Sequence, residues 1–281
     1  MKFIECPRDA WQGFHPFIPS EIKLDYLNQL IRVGFDTIDF GSFVSPKAIP
    51  QMQDTAWIAD RLDLSGSNTS LLAIVANERG AADACAFEQI GYLGYPFSIS
   101  ETFQMRNTQA TIAESFDRLK RIADLCTKHK KELVIYISMG FGNPYGDAWA
   151  PEIVMEWVEK LSKLGASTFS LADTVGVAQV NDIGWLFTAL IPYYPELEFG
   201  AHFHTRPDDW RTKIQAAYDA GCRRFDGALL GYGGCPMAQD DLVGNMPTER
   251  LVDFAKEQKE LLCLDANELQ KARTMFQQIV G

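Results

Sequence analysis

Two of the four histidines in this chain stand two residues apart, in the run Gly200-Ala201-His202-Phe203-His204. The run closes an apolar stretch rich in strand-forming residues. In an extended strand alternate side chains share a face, so His202 and His204 point the same way and Phe203 points the other. Two imidazoles on one face can grip a divalent ion; they can also simply end a strand and hydrogen-bond to their neighbours. Further ligands decide between the two, so the question becomes which elements bring carboxylates and amides to the same place.

Read for periodicity, strand-like runs alternate with helix-like runs along nearly the whole chain, with no break in composition. Strands are expected at 2–9, 36–43, 71–77, 92–98, 132–139, 168–173, 197–204 and 223–230. Between them, Ser20 is placed to cap a helix carrying Leu24, Leu27 and Ile31 and ending at Gly34. Thr111 and Glu114 form a capping box ahead of Ile112, Phe116, Leu119 and Ala123. Pro151 suits the first turn of a helix bearing Val154, Trp157, Val158 and Leu161. Eight strand–helix units in 281 residues, with no glycine fingerprint after the first strand, predict an α/β fold of the (β/α)₈ TIM-barrel type in a single domain, 1–281. After about residue 261, Leu269, Ala272, Met275 and Ile279 recur at helical spacing and predict one extra C-terminal helix.

Such a barrel builds its site at the C-terminal ends of its strands. The polar residues expected there are Arg8 and Asp9 at the end of strand one, Asp39 on strand two, Asn77 at the end of strand three, Asp173 and Thr174 at the end of strand six, and the two histidines at the end of strand seven. Asp9, His202 and His204 make a mixed oxygen and nitrogen set suited to Mg²⁺, Mn²⁺, Zn²⁺ or another first-row ion. Such a set leaves positions open for a chelating substrate. After strand eight, Gly231-Tyr-Gly-Gly-Cys235-Pro236 is either an ordinary turn or a lid carrying a thiol to the mouth, and Asn245 follows it.

Composition narrows the partners. The formal net charge of −11 argues against nucleic acid or an anionic membrane as a partner. The first residues lack a basic segment followed by a long apolar run, and no stretch approaches a membrane span, so a cytoplasmic protein is expected. Six cysteines without CxxC spacing indicate neither a zinc ribbon nor a disulfide framework. Barrels of this size often pair, which makes a homodimer an expectation.

Five segments in order carry a resemblance: Cys6-Pro7-Arg8-Asp9, Ser42 to Lys47 with Pro50-Gln-Met52, Leu171 to Gly176, His202-Phe-His204, and Gly233-Gly-Cys235-Pro236 up to Gly244-Asn245. Together they resemble the 3-hydroxy-3-methylglutaryl-CoA lyases, metal-dependent barrel enzymes that cleave this acyl-CoA to acetyl-CoA and acetoacetate in leucine degradation. The resemblance implies Mg²⁺ or Mn²⁺ held by Asp9, His202, His204 and Asn245, with Arg8 and Cys235 catalytic and His202 sharing in catalysis. Asp39 stands where the family usually has Glu. Asp39 and Asp173 are implied to orient Arg8 or relay a proton, or else to form an ion pair at the mouth. Asn77 and Ser100 match positions near the acyl group, and Lys47 or Arg206 is implied to meet the CoA phosphates.

The chain departs from the family at Thr205-Arg-Pro-Asp208, where an acidic or amide residue and a glycine-containing turn are usual, at 238–243, and at Trp11. These differences leave open two other readings: a relative acting on another 3-hydroxyacyl-CoA or running a Claisen condensation, and a metal-binding protein without turnover.

Overall fold

The architecture was obtained as a computed structural model, which describes residues 1–234 and 243–281. Eight parallel strands close into a barrel in sequence order. They are β1 (Lys2–Glu5), β2 (Thr37–Ser42), β3 (Ser70–Ile74), β4 (Ile90–Ser98), β5 (Glu132–Ser138), β6 (Thr168–Asp173), β7 (Glu198–Phe203) and β8 (Arg224–Gly227). Around them lie α1 (Pro7–Trp11), α2 (Ser20–Val33), α3 (Thr55–Ala59), α4 (Glu78–Cys85), α5 (Glu101–Thr108), α6 (Ile112–His129), α7 (Pro151–Ser162), α8 (Val180–Tyr193), α9 (Trp210–Asp219), α10 (Thr248–Glu257) and α11 (Ala266–Val280). This is the expected TIM barrel with its extra helix. Among the described residues no helix is long and apolar enough to cross a membrane.

The apolar residues divide into two layers, as a closed sheet requires. Leu72, Ile74, Val134 and Tyr136 pack inside the barrel, with Tyr92 against them. The opposite faces of the strands, among them Phe169, Leu171, Ala201 and Phe225, meet the helices in one continuous outer core.

The local signals read from sequence hold in three places and fail in two. Thr111 and Glu114 exchange both bonds of a capping box, Gly34 ends α2 in the left-handed region at φ 87°, and Pro151 opens α7. Ser20 does not cap α2; it is the first helical residue, and Pro19 occupies the cap without a side-chain hydrogen bond. The first strand stops at Glu5 rather than residue 9, because Pro7 opens a short helix that carries Arg8 and Asp9.

The C-terminal helix α11 lies against α2. Phe276 stacks on Tyr26 with ring centroids 5.4 Å apart, and Gln29 Nε2 donates to the Glu268 carboxylate at 2.7 Å. Phe276 also meets Tyr232 edge-on at 5.5 Å, so α11 buttresses the entry to the glycine-rich segment after β8.

Candidate metal and active site at the barrel mouth

Placing Arg8 and Asp9 on one helical turn rather than on a strand changes what each can reach. Arg8 turns back over β2, where its Nε donates to Asp39 Oδ2 at 3.0 Å and its Nη2 to the same oxygen at 2.6 Å. Its Nη1 donates to Asp9 Oδ1 at 2.9 Å and to Gln12 Oε1 at 3.1 Å. Gln12, one turn further along the same face, returns Nε2 to Asp9 Oδ1 at 2.6 Å. All of Arg8, Asp9 and Asp39 are buried.

One oxygen of this cluster is left over. Asp9 Oδ2 is buried and has no hydrogen-bond partner among the described residues. It lies 3.9 Å from His202 Nε2 and 3.9 Å from His204 Nε2. A buried carboxylate oxygen without a donor is costly unless a cation completes it. The three ligand atoms converge closely enough to share one ion, and the donor set fits a divalent metal.

Asn245 joins this group through the backbone: it bridges to His204, and its Nδ2 donates to Tyr232 O at 2.9 Å. Gly233, at φ 107°, passes between Asn245 and α1; a Cβ there would lie 2.8 Å from Asp9 O and would run into Asn245 Nδ2. Only glycine fits this crossing.

The electrostatics follow from burial against pairing. Burial alone raises Asp9, but Arg8 and then the two histidines hold it down at about 2. Burial pushes Asp39 up to about 6, opposed by Arg8, so the Arg8–Asp39 pair is ionised at neutral pH. Burial and the neighbouring His202 lower His204 to about 4, leaving a neutral imidazole with a lone pair for a metal. His202 goes the other way: burial lowers it, but hydrogen bonding to Asp226 outweighs that and its pKa is raised.

Above these residues opens a cavity of about 580 Å³. Arg8, Asp9, His202 and His204 line it together with the apolar Ile74, Pro96, Phe103 and Tyr136 and the cationic Lys47, Arg106 and Arg118. The size suits a small organic ligand, and the lining joins three cationic side chains to a carboxylate and two imidazoles.

Of the remaining residues expected at the site, the structure keeps some and turns others away. Lys47 and Asn77 line the cavity, although Asn77 Oδ1 is already occupied in capping α4 by accepting Gly80 N at 2.9 Å. Ser100 does not line it: its hydroxyl caps α5, accepting Phe103 N at 3.2 Å and donating to Asp147 Oδ2 at 2.5 Å. Arg206 lies outside the cavity, exposed in the loop after β7. Cys235 and most of the 238–243 segment fall outside the described residues.

Asp173 is also a correction. Ala172 and Thr174 face the cavity, so strand alternation sends Asp173 to the outer side of β6. There its Oδ1 accepts Val177 N at 2.8 Å and Ala178 N at 3.1 Å, and its Oδ2 accepts buried Lys213 Nζ at 2.9 Å. Lys213 in turn donates to His204 O at 3.2 Å and pairs with Asp209 at 2.9 Å. Asp173 therefore supports the end of β7 from behind rather than facing the cavity.

Sequence reading missed Gln12, Arg106, Arg118 and Asp226. Only Gln12 carried a signal, its spacing of four from Arg8; the others arrive from distant elements.

Comparison with known proteins agrees with this geometry. The sequence pattern of the HMGL-like family matches residues 3–276. Hydroxymethylglutaryl-CoA lyase YngG of Bacillus subtilis is 32% identical over 254 residues, covering 88% of this chain and 81% of that protein. An (R)-citramalyl-CoA lyase of Chloroflexus aurantiacus is 29% identical, covering 88% and 80%. The structure of an HMG-CoA lyase from Acinetobacter baumannii, solved with coenzyme A and 3-methylmalate, superposes with a TM-score of 0.92 at 31% identity, covering 100% of this chain and 91% of that one.

Proposed function

Because the chain belongs to the HMGL-like family, we propose that it is a hydroxymethylglutaryl-CoA lyase, a carbon–carbon lyase that cleaves 3-hydroxy-3-methylglutaryl-CoA to acetyl-CoA and acetoacetate. The observation that carries this reading is the unpartnered Asp9 Oδ2 aimed at two imidazoles beside a locked arginine, in a cavity also lined by cations.

Asp9, His202, His204 and Asn245 would hold the ion, Mg²⁺ or Mn²⁺. When bound, it supplies Lewis acidity toward the substrate's oxygen atoms. Cleavage itself moves one proton: the tertiary hydroxyl loses it, the C2–C3 bond breaks to leave a ketone and a thioester enolate, and the enolate carbon takes a proton to give acetyl-CoA. Arg8 is held in advance by Asp39 and Asp9, so its charge can meet the thioester oxygen as that oxygen turns negative, without reorganising. His202 shares in catalysis as a ligand of the ion in this reading, and Cys235 takes the role of proton donor assigned to it by motif. Arg106, Lys47 and Arg118 line the cavity and would meet the phosphates of a CoA arm.

A second substrate has a specific observation in its favour. The remodelled segment Thr205–Asp208 follows directly on His204, and a citramalyl-CoA lyase is nearly as similar as the hydroxymethylglutaryl-CoA lyases. The five described cysteines are all unpaired thiols, in keeping with a reducing compartment, and we assign the enzyme to the cytoplasm.

The test is acetoacetate release from hydroxymethylglutaryl-CoA by metal-stripped protein, with and without added Mg²⁺ or Mn²⁺. Metal-dependent release is expected. No release from protein shown to bind the ion, together with turnover of citramalyl-CoA, would move the assignment to the second substrate.

A further inference from the structure

Inside the barrel, behind His202, lies a carboxylate outside every motif and outside the proposed ligand set. Asp226 on β8 is 3% exposed. Its Oδ2 is 3.1 Å from His202 Nδ1 and accepts the Ser170 hydroxyl of β6 at 3.2 Å.

We infer that Asp226 is a positioning residue that fixes the tautomer of His202 and so makes its Nε2 a metal ligand. The inference rests on the metal site proposed above and deepens it. A neutral imidazole has one N–H and one lone pair, and a carboxylate can only accept. Asp226 therefore keeps the proton on Nδ1 and leaves the lone pair on Nε2, the atom that faces Asp9 Oδ2.

Strand register sets this arrangement, with no loop involved. His202 and Asp226 are direct partners across β7 and β8, so with His202 facing inward Asp226 must do the same. Two residues earlier the partners are Gly200 and Arg224, and Gly200 pairs with Ser170 on the other side. Having no side chain, Gly200 makes room for Arg224, whose Cδ would lie 2.8 Å from a Cβ there. Among the described residues His204, two residues further on, has no carboxylate hydrogen-bonded to its Nδ1.

The Cys6 thiol also comes within 4.8 Å of these ligand atoms, so Cys6, His202 and Asp226 form a second group able to hold an ion. The Nδ1–Asp226 hydrogen bond occupies the atom that such an ion would need, which favours the positioning role.

The experiment uses the full chain in wild-type, Asp226→Leu and Asp226→Asn forms, with two readouts. The first is ¹⁵N NMR of the His202 ring in metal-stripped protein; the second is Mn²⁺ titration followed by electron paramagnetic resonance. Wild type should show the Nδ1–H tautomer and bind one Mn²⁺. In Asp226→Leu the tautomer should be lost and Mn²⁺ affinity should fall roughly 10- to 100-fold.

In Asp226→Asn, which preserves volume at the barrel centre, tautomer and affinity should move together, in whichever direction the amide turns. Either variant in which one readout changes and the other does not overturns the inference, as does an unchanged tautomer in Asp226→Leu. Two Mn²⁺ per chain, with one lost in Cys6→Ser, would overturn it in favour of a second ion site. Failure of wild type to bind Mn²⁺ would sink the metal reading instead, while the ring tautomer, measured without metal, still judges Asp226.

Discussion

Arg8 meets Asp39 through two nitrogens, with Nη2 at 2.6 Å and Nε at 3.0 Å from the same carboxylate oxygen. The pair is buried, and it aims a guanidinium into the cavity from the first strand–helix junction while β2 holds it from below.

Removing Asp39 should therefore harm both stability and turnover. Asp39→Ala leaves Arg8 with Asp9 as its remaining carboxylate and should lower unfolding free energy by about 3 kcal/mol, the scale of a broken buried pair. Asp39→Asn retains an acceptor and should cost less. Urea melts of the two variants check this; equal losses would mean that the charge contributes nothing beyond the hydrogen bond.

Asp9→Ala should abolish metal binding and activity together, because it removes the oxygen on which both imidazoles converge. A Mn²⁺ titration indistinguishable from wild type would refute the ligand assignment.

Asp173→Asn separates a structural carboxylate from a catalytic one. Since Asp173 faces Lys213 and two backbone N–H groups, the variant should melt at lower temperature yet keep kcat within about tenfold when folded and saturated with metal. A loss on the order of 10³, the scale of proton-transfer catalysis, would return Asp173 to the reacting centre.

Glu5 gives the fold a pH dependence away from the site. Burial pushes its carboxyl up to about 8 from an ordinary 4.5, against hydrogen bonds from Thr248 and Leu229. Between those two values the folded chain keeps a proton that the unfolded chain releases. The stability from this group is therefore full below pH 4.5 and is lost as pH rises to about 8. Glu5→Gln should flatten that decline and unfold at higher urea than wild type near about pH 8.5. Parallel stability curves for the two proteins would show that Glu5 does not titrate in this window.

Cys235→Ser should bind Mn²⁺ as wild type does and turn over slowly. Full activity would remove the thiol from the mechanism.

Much of the site was legible because it is periodic. Alternation alone set His202 and His204 on one face, and the run of strand and helix periods called for eight units and a closed barrel. The same parity would have turned Asp173 outward had Thr174 been taken as the inward residue. Strand ends were less legible: Pro7 can follow a strand or open a helix, and only packing of α1 against β2 settled that Arg8 and Asp9 share a helical turn.

What sequence alone determined, then, is the type of each candidate ligand and the shared face of His202 and His204, since strand period is a local property of the backbone. What tertiary structure decided is how each polar side chain is used. Ser100 is committed to Asp147, 47 residues away, and Asp226 reaches His202 across 24 residues through strand register. Those pairings depend on barrel closure, which brings together atoms whose separation along the chain carries no local signal.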